Sequence, residues 1–566
     1  MLQNNSKNKT FFILAIICII TLLPFVGSAD FHTKGEPREA IVAYSMMETG
    51  NWILPTNNGG DMAYKPPFFH WAIAAFSELA GKVTEGTSRL PSALALIAMV
   101  LTGFLFYAKR RGIQVALITS FITLTAFEVH RAGLNCRVDM VLTAFIVMAL
   151  YQLYHWCEKG QKGFPIIATI FMGIATLTKG PVGIILPCLV TGTYLLIKGT
   201  KFSKAFFPLV MVGIISCILP AIWYVLAYQQ GGESFINLMM EENFGRFMGK
   251  MSYESHENPA SYNFITVIAG FVPWTLLMIF SLFGLHYRKP QLITGWWKRF
   301  KNYIAAMDST RLFSLLAIII IFVFYCIPKS KRSVYLLPIY PFIAYFIAEY
   351  CIYLIHKAPK VIKAFGYTIA GICSIVIIAF FAIKLNLIPE SLFTGRHGAE
   401  NWSYVQALSR LPLNIYNAVL VLLPIIPAIY FIRQKTDLKS LYAIIGMLLA
   451  LQVSLDGVYQ PTVLNAKSNK KFALEIQDII PQGPIYSFVS TEMLRYFVIN
   501  FYNDNRILLF EEEQPENGYL LIGENDAESF ISKYSENYIF NEVLKSTQRS
   551  NDTRQIMILY QFSKNK

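Results

Sequence analysis

Between positions 36 and 65 the chain sets carboxylates beside cations: Glu36, Arg38, Glu39, Asp61 and Lys65, with Tyr64 next to the last of them. A carboxylate can orient or deprotonate an acceptor hydroxyl, and Lys and Arg hold phosphate electrostatically. The mixture recurs in four later segments. The first carries Glu128, His130, Arg131, Arg137 and Asp139, and the second is Lys179 before Gly180 and Pro181. The third places Arg246, Lys250 and His256 among Glu241, Glu242 and Glu257, and the fourth is Lys329, Lys331 and Arg332 followed by Tyr335. Taken singly, Arg131, Lys250 or Arg332 reads as a headgroup contact or a snorkelling side chain. Taken together the five segments point to an anionic substrate.

The elements that must position these residues are apolar helices. Of the 566 residues 54% are hydrophobic and 15% charged, and the mean hydropathy is +0.44, so water is not the chain's main solvent. Nearly charge-free runs occur at 11–26, 90–107, 114–127, 140–156, 164–178, 181–197, 205–227, 264–285, 312–327, 334–355, 364–383, 413–432 and 441–455. Each approaches the roughly 20 residues that cross a bilayer as helix, which predicts about thirteen transmembrane helices. With the N-terminus cytoplasmic, every inner loop is basic, from Lys7 and Lys9 to Lys109, Arg110 and Arg111 and on to Arg433, Lys435 and Lys439. The acid–cation segments then fall on the opposite side. This insertion bias accounts for the net charge of +14 and leaves no case for a nucleic-acid partner. The first run reads as an uncleaved helix, because removing it would invert the parity against the Lys and Arg pattern. The eight cysteines lie in or beside predicted spans with no CxxC pair, so neither a disulfide framework nor a cysteine metal site is expected.

Two domains are expected: a transmembrane domain over 1–456 with an outer loop at 29–80, and a periplasmic domain over 457–566. Within the loop, 68–80 reads as an amphipathic helix on the membrane surface, with His70 beside Trp71 as interfacial packing. Past position 457 the composition turns polar and alternating, the pattern of a small soluble α/β domain. Strands are predicted at 485–489, 519–522 and 556–562, and helices at 470–478, 491–500, 527–535 and 539–545. No catalytic motif is visible there, and Glu511, Glu512 and Glu513 read as a solvated turn.

Several blocks, in order, resemble the GT-C glycosyltransferases related to aminoarabinose transferases of lipid A and protein O-mannosyltransferases. Gly35-Glu36-Pro37-Arg38-Glu39-Ala40 is similar to that family's Asp-Glu-x-Arg-Tyr-Ala, and Gly50-Asn51-Trp52-Ile53-Leu54-Pro55 to its Gly-Asp-Trp-Ile-x-Pro. Tyr64-Lys65-Pro66 stands where the family has Glu-Lys-Pro. Asp139 at a helix start, Thr178-Lys179-Gly180, the loop with Arg246, Phe247 and His256, and Lys329-Ser330-Lys331 with Tyr335 follow in register.

The resemblance implies a polytopic α-helical GT-C fold and inverting transfer of a sugar from a polyprenyl phosphate to an envelope acceptor. That acceptor is lipid A, another glycan or a protein, and the setting is the periplasmic face of a bacterial inner membrane. It implies Glu36 as the base, with Asp139 second, and Lys65 on the donor phosphate. Arg38, Lys179, Arg246, Lys329 and Lys331 assist, His256 belongs to the substrate-facing loop, and Tyr335 lies near the carrier phosphate. Gly35 and Tyr64 replace two acids of the family pattern. Asp61 is the candidate substitute, and a divalent metal is an open alternative to no cofactor at all. A polyprenyl-linked lipid transporter or flippase is the competing reading, although the two halves show no convincing repeat.

Overall fold

A computed structural model describes residues 2–245, 257–285, 303–304, 306–435, 437–491 and 494–565. Among the described residues eight helices are long and apolar enough to cross a membrane, and up to eleven spans result if each of three bent pairs counts once. The bends are 69° between Ile113–Thr125 and Phe127–Gly133, 41° between Phe202–Ser216 and Ile218–Met240, and 98° between Ser261–Gly270 and Trp274–Gly284. All thirteen expected runs fall on helices. Ile166–Lys179 and Val182–Ile197, with 14 and 16 residues, are nevertheless shorter than a full crossing, so thirteen spans are not established. The chain is a multi-pass membrane protein.

The described chain forms two compact units. The first comprises 1–24, 92–379 and 414–455. Some of its polar side chains bond to carbonyls of their own helix, and others find partners on neighbouring helices. The Tyr107 hydroxyl lies 3.0 Å from Ser314 Oγ, Tyr154 pairs with Thr310 at 3.1 Å, and Trp274 Nε1 donates to Thr125 Oγ1 at 2.9 Å. Arg111 and Arg311 converge on the single carboxylate of Glu349, which also accepts the Tyr345 hydroxyl at 2.8 Å.

The second unit is discontinuous, made of 25–91, 380–413 and 456–566. Its sheet contains β3 (Ile485–Phe488), β4 (Ile507–Leu509), β5 (Asn517–Gly523), β6 (Tyr538–Arg549) and β7 (Ile556–Lys564), following a two-stranded hairpin of β1 (Thr56–Asn57) and β2 (Asp61–Met62). The strand order is β4-β3-β5-β7-β6, parallel among the first three and antiparallel thereafter. Phe510, Leu520, Ile522, Phe530 and Phe562 form its core. The helix expected at 539–545 is instead part of β6. Its side chains pair across to β7, from Tyr538 opposite Lys564 to Lys545 opposite Ile558, and that pairing overrides a locally ambiguous sequence. The helix expected at 491–500 is shorter and later, Phe497–Tyr502.

Residues of the first loop and of the C-terminal sheet region interlock within this unit. Asn505 Oδ1 accepts the Asn58 backbone N–H at 3.1 Å and the Asn500 amide at 2.9 Å, while its own amide donates to Ser45 Oγ. Lys470 bridges Asp30 and Glu85 at 3.1 and 2.8 Å, and the Phe31 and Phe501 rings pack edge to face. Gly59, at φ +82°, lies so near the Leu508 backbone that a Cβ would approach to 3.2 Å, which makes glycine necessary there on both counts.

Asp552, in the turn before β7, is buried, with Oδ2 accepting the Val498 N–H at 3.0 Å and Oδ1 unpartnered. Burial, only partly offset by that N–H and by Lys34, pushes its carboxyl up to about 7. The unfolded chain ionises near 3.9, so raising the pH from about 4 to 7 favours the unfolded state over this interval. Asp552→Asn is therefore expected to raise the melting temperature more at pH 8 than at pH 5, as thermal unfolding in detergent at both values would record.

Candidate active site

In the second unit, the helix Gly35–Thr49 opens with Pro37 in its first turn and closes on Gly50 at φ 69°, the left-handed cap that a side chain would strain. Asn51 then folds the chain back. Its Oδ1 accepts the N–H groups of Ile53 and Leu54 at 3.1 Å, and its amide donates to Leu54 O. The Gly-Asn-Trp block is thus a turn, and Trp52 leaves it to accept the Trp71 indole N–H at 2.7 Å through its carbonyl. Trp71 lies on the helix Phe68–Ala80, which starts after Pro66-Pro67 and carries His70 in its first turn.

Glu36 and Glu39, three positions apart on the first of these helices, serve different partners. Glu36 is fully buried, and its two oxygens accept Arg89 Nε at 2.8 Å and Nη2 at 3.3 Å. The same guanidinium donates to the carbonyls of Val26, Ala29 and Asp30 and stands over the Phe31 ring. With both oxygens on a buried guanidinium, Glu36 fixes the start of the loop. His32, 3.6 Å from Glu36, is held below the usual histidine range by burial, against the pull of Glu36.

Glu39 is the hub of the loop. One oxygen takes the Lys65 ammonium and the Arg38 guanidinium, the latter at 3.3 Å, and the other lies 2.8 Å from His70 Nε2. Burial alone would raise its pKa. Lys65, His70 and Arg38 outweigh that and hold the carboxyl well below the usual range, so Nε2 carries the His70 proton toward an ionised acceptor. Lys65 keeps a quarter of its side chain exposed, whereas Glu39 and His70 are almost wholly covered. Asp61, expected to compensate for a missing acid, instead meets Arg495 at 3.2 Å, with burial pushing its carboxyl up. Tyr64 is half-buried beside Lys65, its N–H bonded to the Met62 carbonyl.

The first unit holds its own cluster. Asp139, in the first turn of Val138–Glu158, is buried and bonded to Lys179, the last residue of Ile166–Lys179. The Lys179 ammonium stands 4.5 Å from the centre of the Tyr335 ring. Asp139 thereby brings together two of the expected positions, Lys179 and Tyr335. Lys329 is exposed, and Lys331 is buried with Nζ donating to the Pro328 carbonyl at 2.5 Å, so it braces its own turn. Glu128 and Arg131, expected near a helix mouth, form a two-bond pair at 2.7 and 3.1 Å. Arg246 and His256 lie outside the described residues.

Among the described residues no group of three or more His, Cys, Asp or Glu side chains converges as a metal site. Glu39 with His70 brings two such side chains together, and Asp139 with Lys179 only one.

Residues 64–224 match the family described as dolichyl-phosphate-mannose-protein mannosyltransferase. An undecaprenyl phosphate-alpha-4-amino-4-deoxy-L-arabinose arabinosyl transferase 2 of Proteus mirabilis is 24% identical over 407 residues, 69% of each chain. The corresponding arabinosyl transferase of Shewanella sediminis is 23% identical over 404 residues, 70% of this chain and 68% of that one. Among solved structures, ArnT from Cupriavidus metallidurans bound to undecaprenyl phosphate superposes with a TM-score of 0.68 at 18% identity, covering 97% of both chains. The fold, many apolar helices with a small C-terminal sheet, is similar to that of this solved structure. The family match and these relatives support a GT-C glycosyltransferase, to which the chain is similar.

Arg89 and His70 were not legible as partners. Glu36 and Arg89 stand 53 positions apart, with no spacing signal between them. His70 was assigned to packing because it neighbours Trp71, yet it lies one helical turn after the Lys65-Pro66-Pro67 block, where a helix start could be expected to aim it back at the loop. Arg89→Leu leaves Glu36 buried without its cation and is expected to cost roughly 3–5 kcal/mol, with Glu36→Gln in the same chain recovering part of it. Thermal unfolding in detergent of both variants and the double variant checks this; equal stability of Arg89→Leu and the parent would refute the anchor.

Proposed function

We propose that this glycosyltransferase moves a sugar from a polyprenyl-phosphate donor to an envelope acceptor, with inversion, on the non-cytoplasmic side of a bacterial inner membrane. The observation that carries the reading is a pair of buried carboxylates, Glu39 and Asp139, each holding a partly exposed lysine, Lys65 and Lys179. Such lysines are pre-placed, with open surface through which a phosphate can approach. The near full-length likeness to a fold that has been seen with undecaprenyl phosphate supports the same donor class here. The relatives' arabinosyl donors support an undecaprenyl phosphate sugar, and lipid A stands first among acceptors, with another glycan or a protein as the alternatives.

In this reading Lys65 neutralises charge on the leaving lipid phosphate as the glycosidic bond breaks, and Lys179 supplies the countercharge of Asp139 within the first unit. Tyr335 packs beside the carrier, and exposed Lys329 adds positive charge at the turn after Ser309–Cys326. Asp139 is the candidate general base for the acceptor hydroxyl. The basic loops support a cytoplasmic N-terminus and a periplasmic domain over 457–566.

Transfer of radiolabelled sugar from purified undecaprenyl-phosphate donors to lipid A and to envelope fractions tests the reading. Lys65→Ala and Asp139→Asn are each expected to lower kcat/KM by roughly 100-fold or more while the protein remains folded. Undiminished transfer in both would remove these residues from the reaction. Passage of labelled lipid across reconstituted bilayers without any transfer would favour the flippase instead.

A further inference from the structure

The acid that the family resemblance expects immediately before Lys65 is absent, because Tyr64 stands there, and the first acid of the loop is also absent, because Gly35 stands there. Charge compensation for Lys65 comes from elsewhere. Glu39 lies four positions after Gly35, one turn along the same face of the helix Gly35–Thr49, and its carboxylate takes the Lys65 ammonium. The geometry is asymmetric. Glu39 is clamped from its buried side by His70 Nε2 at 2.8 Å and flanked by Arg38 at 3.3 Å, so it keeps two partners when Lys65 swings away. Lys65 sits on a long flexible stem with a quarter of its side chain exposed, and it is the more reachable member of the pair.

We propose that Glu39 is a built-in competitor for the donor phosphate: it holds Lys65 in the empty protein, and the lipid phosphate must take Lys65 from it to bind. The inference rests on the reading of Lys65 as a donor-phosphate contact and adds Glu39 as the residue that sets donor affinity. Both anions seek the same ammonium. When the phosphate wins, Glu39 retains His70 and Arg38, so a buried carboxylate is not left without a countercharge. The exchange keeps the loop neutralised in both states. It also prevents Lys65 from binding its partner so tightly that the carrier phosphate, once the sugar has left, cannot depart.

The consequence is a sign that a merely structural Glu39 would not produce. If Lys65 is available to phosphate about a tenth of the time, the apparent Kd is raised about tenfold over that of a free Lys65. Removing the carboxylate charge must then tighten binding, although the residue is buried and its loss would ordinarily loosen a site. Undecaprenyl phosphate would be titrated into the purified full-length protein in detergent and followed by native mass spectrometry, with undecaprenol as the uncharged control.

Glu39→Gln is expected to bind undecaprenyl phosphate roughly tenfold more tightly than the parent and undecaprenol equally. Lys65→Ala is expected to bind the phosphate more weakly, and adding Glu39→Gln to Lys65→Ala should bring no tightening. Glu39→Asp, which withdraws the carboxylate by one methylene while keeping its charge, covers the case in which Glu39→Gln does not fold, and should tighten binding to a smaller degree. Weaker or unchanged binding in the Glu39 variants, while Lys65→Ala still loses affinity, would overturn the competition and leave the donor reading standing. Unchanged binding in Lys65→Ala would overturn both.

Discussion

Moving the Glu36 carboxylate out of water costs several kcal/mol unless a cation goes with it, and Arg89 is that cation. The pair does more than neutralise. Arg89 spends its remaining N–H groups on the carbonyls of Val26, Ala29 and Asp30, so one guanidinium ties the start of the first loop to the helix that carries Glu36 and Glu39. With that helix fixed, Glu39 is held in register with Lys65 and His70. The same logic recurs on a smaller scale at Asp139 and Lys179, where a helix start and a helix end are joined by one ion pair. In both clusters the buried member is the acid and the reachable member is the lysine, an arrangement suited to receiving an anion.

The loop does not stand alone. Asn58, Ser45, Asp30, Glu85 and Asp61 are each bonded to residues beyond position 469, so the C-terminal sheet region and the first loop form one folded unit. A polar domain appended to a membrane enzyme could serve as a platform for an acceptor. Its contacts here give it a second task, that of holding the hairpin of β1 and β2 and the turn that leads to Lys65.

Much of this was legible from residue type and order. Apolar runs located every helix bundle segment, because a bilayer-spanning helix leaves a long composition signature. The loop motifs were legible for a different reason: Gly50 and Asn51 impose a turn by their own backbone and side-chain chemistry, independent of what surrounds them. What stayed hidden depends on distant partners. The pairing of Glu36 with Arg89, 53 positions away, is a tertiary fact with no local signal. His70 looked like interfacial packing until the helix start turned it toward Glu39. The segment 539–545 has a mixed composition, and only pairing with β7 decides that it is a strand. The bends that turn three apolar runs into broken helices are likewise set by packing and by interruptions such as Pro273, which composition alone does not translate into an angle.

Lys65 is the proposed meeting point of protein carboxylate and lipid phosphate. A cryo-electron microscopy structure of the protein in nanodiscs with undecaprenyl phosphate tests this directly. The phosphate is expected within hydrogen-bonding distance of Lys65 Nζ, with Glu39 still on His70. A phosphate seated away from Lys65, with the Lys65–Glu39 pair intact, would contradict it.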